Sequence, residues 1–155
     1  MPMDAMVIVI IVGLFTIYLF SLVGIYIKLE NRRELILSKF DEINNQIENK
    51  LDLIKELNDL IEVKKIKDTR LKILNSSCIN EIIKYNKKLD DEIEKIETSS
   101  RKIKKVISEL KKINVKIDYS KEFYNDSIKE YNKILKTPSG KILKKICKYI
   151  AYNKI

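Results

Sequence analysis

From Ile25 to Lys136 the chain contains neither glycine nor proline. In a helix interior these two residues cost about 1 and about 3 kcal/mol relative to alanine, and they punctuate most turns. A long stretch without them, rich in Ile, Leu, Lys, Glu and Asn, reads as helix almost throughout. The expected fold class is therefore all-α. An N-terminal single transmembrane helix should lead into an antiparallel up-and-down helical bundle with long, coiled-coil-like helices.

The transmembrane expectation rests on residues 5–27, AMVIVIIVGLFTIYLFSLVGIYI, which hold 23 consecutive residues without a formal charge. As a helix they extend roughly 34 Å, enough to cross a hydrocarbon core of about 30 Å. Thr16 and Ser21 can return their hydroxyl hydrogen bonds to backbone carbonyls, and Tyr26 sits where an interfacial ring is comfortable. A cleaved signal peptide would start with basic residues and have a shorter apolar core of about 7–15 residues. Here the start is Met1-Pro2-Met3-Asp4, and the run is longer. A buried soluble helix would need a large core, yet 34% of the chain is charged. The reading is an uncleaved anchor.

Lys28, Arg32, Arg33 and Lys39 follow the span and no basic side chain precedes it. Basic residues are retained on the cytoplasmic side. The N-terminus is thus expected outside and the C-terminal domain in the cytoplasm, at the cell (inner) membrane. The expected organisation is a short external N-terminus and anchor (1–27), a cytoplasmic bundle (28–137) and a basic amphipathic C-terminal segment (138–155).

Within the bundle, Phe40, Ile43, Ile47, Leu51, Ile54, Leu57 and Ile61 recur at steps of three or four, which place them on one helix face. Breaks are expected weakly at Lys67-Asp68-Thr69 and more strongly at Asn75-Ser76-Ser77. There Asn can end a helix in the left-handed conformation and Ser can cap the next. From Ile82 two heptad rows run on. One reads Ile82, Leu89, Ile96, Ile103, Leu110, Ile117, Tyr124 and Tyr131. The other reads Asn86, Ile93, Ser100, Ile107, Asn114, Lys121, Ile128 and Leu135. Such rows form a coiled-coil seam, and polar groups in it cost stability but can fix register. An unbroken helix over 77–136 would be roughly 90 Å long, so a further break is expected near Thr98. Thr137-Pro138-Ser139-Gly140 should stop the long helix.

Several chemistries lack their parts. The chain has no histidine, no tryptophan and only two cysteines, Cys78 and Cys147, too far apart for a CxxC. No Gly-rich phosphate loop is present. The expectation is no enzyme, no cofactor and no metal site. The net charge of +9 comes from 31 basic and 22 acidic side chains. Residues 101–116 hold seven basic residues and one acidic, but no aromatic residue interleaves for base stacking. That run reads as a solvated helix face, with no nucleic-acid partner. After the proline turn, Lys141, Lys144, Lys145 and Lys148 alternate with Ile142, Leu143, Ile146, Tyr149 and Ile150 on what should be one helical face. Those four lysines are candidate contacts to anionic lipid.

Ile117-Asp118-Tyr119-Ser120-Lys121-Glu122-Phe123-Tyr124-Asn125-Asp126, then Tyr131-Asn132, then Pro138, resemble the C-terminal signature of the LemA family. That signature reads roughly I-x-Y-x-R-x-F-Y-N-D-x-V-x-x-Y-N, with a proline following. Leu51-Asp52-Leu53-Ile54-Lys55-Glu56-Leu57 is similar to the family's Y-D-L-I-P-x-L segment. Lys55 replaces its proline and Lys121 its arginine, and the middle, about 64–97, is shortened. The resemblance implies a bacterial membrane protein with a helical bundle and supplies no catalytic mechanism. It marks Leu53, Ile54, Tyr119, Phe123, Tyr124, Asn125, Asp126, Tyr131, Asn132 and Pro138 as motif residues, either a polar pocket or buried tyrosines tied by Asn or Asp groups on a facing helix. The functional expectation is a membrane-anchored scaffold or interaction platform that binds a protein partner or itself. The alternative is direct lipid binding or membrane organisation by the basic C-terminal helix.

Overall fold

A computed structural model describes residues 3–155, with side chains from residue 5 onward. The external N-terminus expected from the sequence falls on residues 1–4, of which 1 and 2 lie outside the described residues. Five helices and no strand are present among the described residues: α1 (Met3–Leu60), α2 (Lys64–Asn75), α3 (Ile79–Ile93), α4 (Arg101–Leu135) and α5 (Pro138–Ile146). The chain is all-α with helical-bundle packing.

α1 runs unbroken for 58 residues. One window of it is long and apolar enough to cross a membrane, with a mean hydropathy of 2.8 and none of it buried within the protein. That exposure separates it from the core helix of a soluble protein, which would be covered. Thr16 donates its hydroxyl hydrogen to the Val12 carbonyl at 2.8 Å, so this polar group needs no outside partner.

The breaks follow the composition with three corrections. Lys67-Asp68-Thr69 lies inside α2, and the first interruption is at 61–63 instead. The gap at 76–78 is where the Asn-Ser-Ser signal predicts it, but Ser76 closes α2 in an extended conformation (φ −86°, ψ 129°) rather than Asn75 in a left-handed one. Cys78, not Ser77, is the N-cap of α3, and it makes no side-chain cap bond. The interruption near Thr98 is present, since α3 ends at Ile93 and α4 starts at Arg101.

The chain separates into two compact units. One combines Met1–Leu37 with Asp126–Lys154, and the other combines Ser38–Asn125 with Ile155. In the larger unit, α2 packs against α3. Phe40 of α1 meets Tyr124 of α4 with ring centroids 6.1 Å apart, and the Ser120 hydroxyl donates to the Glu42 carboxylate at 2.8 Å. Numbers that climb on α1 descend on α4, so the two segments are antiparallel there. The core comprises Ile43, Ile47, Leu51, Ile54 and Leu57 from α1 and Ile103, Val106, Leu110 and Ile117 from α4, with Ile66, Ile73, Leu89 and Ile93 between. The first heptad row is buried throughout α4, from Ile103 to Tyr131. The second holds at Ile93, Ile128 and Leu135 but not between them, where Ile107, Asn114 and Lys121 are only partly covered. Val106 and Ser120, one position earlier than Ile107 and Lys121, are buried instead, and Ser127 is buried beside Ile128. Small serines let a neighbouring helix approach closely, which a count of apolar residues does not register.

The other unit holds the apolar run, the last turns of α4, α5 and the segment 147–154. Its core contains Leu29, Ile36, Ile128, Tyr131, Leu135, Leu143 and Tyr149. Arg32 pairs with Glu130 at 2.6 Å on the surface. α5 is set by a tight turn. Thr137 is its N-cap, accepting from the Gly140 N–H at 3.1 Å and donating to the Ile134 carbonyl at 2.7 Å, with Pro138 at the first helical position. A Cβ on Gly140 would overlap the Ile134 carbonyl oxygen. Close approach, rather than an unusual φ, is what requires glycine.

Candidate functional site

The helical segment after the proline turn is shorter than its lysine pattern predicts. α5 ends at Ile146, so Tyr149 and Ile150 do not continue its face. Lys148 takes φ 53°, the left-handed conformation, and turns the chain out of the helix. Beyond this turn the chain runs on as a non-helical tail, held by residues of the tyrosine–asparagine motif on α4.

In the first unit, the Asn132 side-chain amide makes two bonds to one residue. Its Nδ2 donates to the Tyr152 carbonyl at 2.8 Å, and its Oδ1 accepts from the Tyr152 N–H at 3.2 Å. An amide side chain has the same donor and acceptor as a peptide group, so it can pair with backbone as a neighbouring strand would. Tyr131 stands between two tail rings, edge-on to Tyr149 (6.4 Å) and Tyr152 (5.3 Å). The Tyr149 hydroxyl donates a short hydrogen bond to Glu30, whose other oxygen lies 3.6 Å from Arg33. Burial pushes the Tyr131 phenol up to about 12, and burial together with Glu30 pushes the Tyr149 phenol up as well. Both therefore stay protonated, as a donor to a carboxylate must. The Tyr152 hydroxyl faces Arg33 and, with Glu30, holds that guanidinium above its ordinary value.

In the second unit, Asn125 repeats the device on Ile155. Its Nδ2 donates to the Ile155 carbonyl at 2.9 Å and its Oδ1 accepts from the Ile155 N–H at 3.0 Å. Both motif asparagines thus hold tail backbone, and Tyr149 is tied by a glutamate on α1.

The remaining motif residues divide by exposure. Ile54, Tyr124 and Tyr131 are buried, and Leu53 is half-buried. Asp126 and Pro138 are exposed. So are Tyr119 and Phe123, one helical turn apart, with their rings 5.2 Å from each other and the Lys39 ammonium 5.5 Å from the Phe123 ring. Val115 extends that stripe by another turn. Lys141, Lys144, Lys145 and Lys148 are all exposed.

One site escaped the sequence reading. Lys50 is wholly buried in the second unit, with its ammonium 2.5 Å from Asp90 Oδ1. Asn114 Nδ2 donates to the same oxygen at 2.8 Å. Three helices thus meet on one carboxylate. Burial pushes the Lys50 ammonium below its ordinary value, while Asp90 and then Asp118 oppose that shift. Asp90 itself borders two open clefts of about 350 and about 550 Å³, so water reaches the acid but not the lysine. The Oδ1 atoms of Asn86 and Asn114 are buried here without a donor among the described residues. The signal was available: Leu29, Ile36, Ile43, Lys50 and Leu57 form one heptad row on α1, in which a lysine stands among apolar residues.

Fold and site together define a helical-bundle protein with one helix long and apolar enough to cross a membrane and a non-helical tail held by asparagine amides. Comparison of the chain with models of known protein families, with curated proteins and with solved structures gives no match.

Proposed function

We propose that this chain is a non-catalytic, single-pass bacterial inner-membrane protein of LemA type, with its N-terminus outside and its helical units in the cytoplasm. There it acts as a scaffold or interaction platform. The observation that carries the reading is the division of the motif on α4. Its buried members serve packing and its asparagines hold the tail, whereas Tyr119 and Phe123, continued by Val115, form an exposed apolar stripe. Exposed aromatic surface of this kind is what partner proteins use as anchors. The uncovered apolar run at 5–27 supports the anchor, and Lys28, Arg32, Arg33 and Lys39 on its C-terminal side support the orientation.

In-cell cross-linking tests the platform. The wild-type chain should give discrete adducts. The double variant Tyr119→Ser, Phe123→Ser should lose them while remaining in the membrane fraction after alkaline extraction. Adducts that persist unchanged in the double variant would rule out the stripe as the docking surface.

A further inference from the structure

We infer that residues 143–150 form a second, peripheral membrane contact, in which Ile146 and Ile150 enter the interface of an anionic bilayer and Lys144, Lys145 and Lys148 engage its headgroups. The inference rests on reading residues 5–27 as the membrane anchor.

Glu30 sets the level of the segment. The Tyr149 hydroxyl is bonded to Glu30, and Glu30 lies three residues beyond Ile27, the end of the apolar run. Three residues of helix rise about 4.5 Å. A bilayer of about 40–45 Å with a hydrocarbon core of about 30 Å has roughly 5–7 Å of headgroup region on each side. A tail tied at Glu30 is therefore tied at headgroup depth.

Burial divides the side chains of the segment. Leu143 and Tyr149 are buried in the unit, at 8% and 7% exposure, whereas Ile146 and Ile150 are 71% and 68% exposed. The left-handed turn at Lys148 makes this division possible. Beyond it the chain is no longer helical. Tyr149 goes inward to α1, and Ile150 goes outward. The segment is thus two-sided: one pair of large side chains holds it to the protein, and the other pair is left uncovered.

Charge selects the occupant. From Thr137 to Ile155 there are five lysines and no acidic residue. Exposed isoleucines rimmed by lysines suit the boundary of an anionic bilayer, where the apolar groups reach acyl chains and the ammonium groups meet phosphates. Each lysine near such a surface changes partitioning by roughly fivefold, so three together change it on the order of 100-fold.

The chain has no tryptophan, so a single introduced indole reports its own site. The full chain carrying Ile150→Trp would be reconstituted in nanodiscs with brominated acyl chains. One set would be of phosphatidylcholine alone and one of an equal mixture with phosphatidylglycerol. Emission should be quenched and blue-shifted in the mixed discs. Adding Lys144→Gln, Lys145→Gln and Lys148→Gln should abolish that quenching. A separate Phe15→Trp chain reports the anchor and should be quenched in both discs. If Phe15→Trp is quenched while Ile150→Trp is not in either disc, the contact is overturned and the anchor stands. If neither is quenched, the anchor reading itself fails. Quenching of Ile150→Trp that is equal in both discs and indifferent to the lysines would overturn the selection for anionic lipid.

Discussion

The two units hold themselves together with polar groups placed in opposite ways. In the second unit the polar contact is internal: Lys50, Asp90 and Asn114 converge inside a helical seam and join α1, α3 and α4. In the first unit the polar groups on the helices, Asn132 and Glu30, are only partly covered, and they fasten a non-helical segment through Tyr152 and Tyr149. Burying the Lys50 ammonium costs desolvation, which its pairing with the partly exposed Asp90 offsets. A peripheral latch costs little and fixes one segment. Damage to the first arrangement should therefore spread through its unit, and damage to the second should stay local.

The largest expected effect comes from Asp90→Ala. It leaves the Lys50 ammonium buried without its partner, which should cost roughly 3–5 kcal/mol. Lys50→Met, which removes the buried charge and leaves Asp90 with Asn114 and solvent, should be close to neutral. Thermal unfolding of both variants in detergent, followed by circular dichroism, would show the asymmetry. Equal losses would mean the pair is an ordinary surface contact.

Gly140→Ala comes next. Its methyl group cannot fit beside the Ile134 carbonyl, and overpacking of this kind costs about 1–3 kcal/mol. The loss should appear as faster proteolysis in α5 and the tail, with the unfolding of the second unit unchanged.

Asn132→Ala removes two hydrogen bonds, each worth about 0.5–1.5 kcal/mol. Trypsin cleavage after the exposed Lys148 should then accelerate. An equal acceleration at sites within α2 or α3 would show that the latch is not local.

The smallest effect is acid dependence at Glu42. Lys39 and then Ser120 hold its carboxyl below the ordinary carboxylate value. A lowered folded pKa contributes stability that is fully present above the unfolded value and lost as pH falls through the folded one. The unfolding temperature should fall through that acid window by a slightly larger amount in the wild type than in Glu42→Gln, which keeps an acceptor for Ser120.

The same contrast governs how much could be read from the sequence. The helices between 25 and 136 were legible because that stretch holds neither glycine nor proline, and the turn into α5 because both return at 138–140. The α1 stripe from Ile43 to Leu57 and the α4 row from Ile103 to Tyr131 were legible because burial follows helical periodicity. Asn86 and Asn114 were visible as polar residues in a seam. Lys50, which shares the Asp90 carboxylate with Asn114, was missed because lysine is read as surface, although its heptad row marks it. The buried serines were missed because small polar residues do not register as core. The tail was the least legible. Its lysine spacing reads as helix, and no periodic rule anticipates a side-chain amide pairing with non-helical backbone.

Amide hydrogen exchange at Tyr152 and Ile155, in the full chain reconstituted in bilayers, tests the latch most directly. Both N–H groups donate to asparagine Oδ1 atoms, so both should be protected. Asn132→Ala should release Tyr152, and Asn125→Ala should release Ile155. Exchange of both at the rate of an unstructured chain in the wild type would contradict the latch.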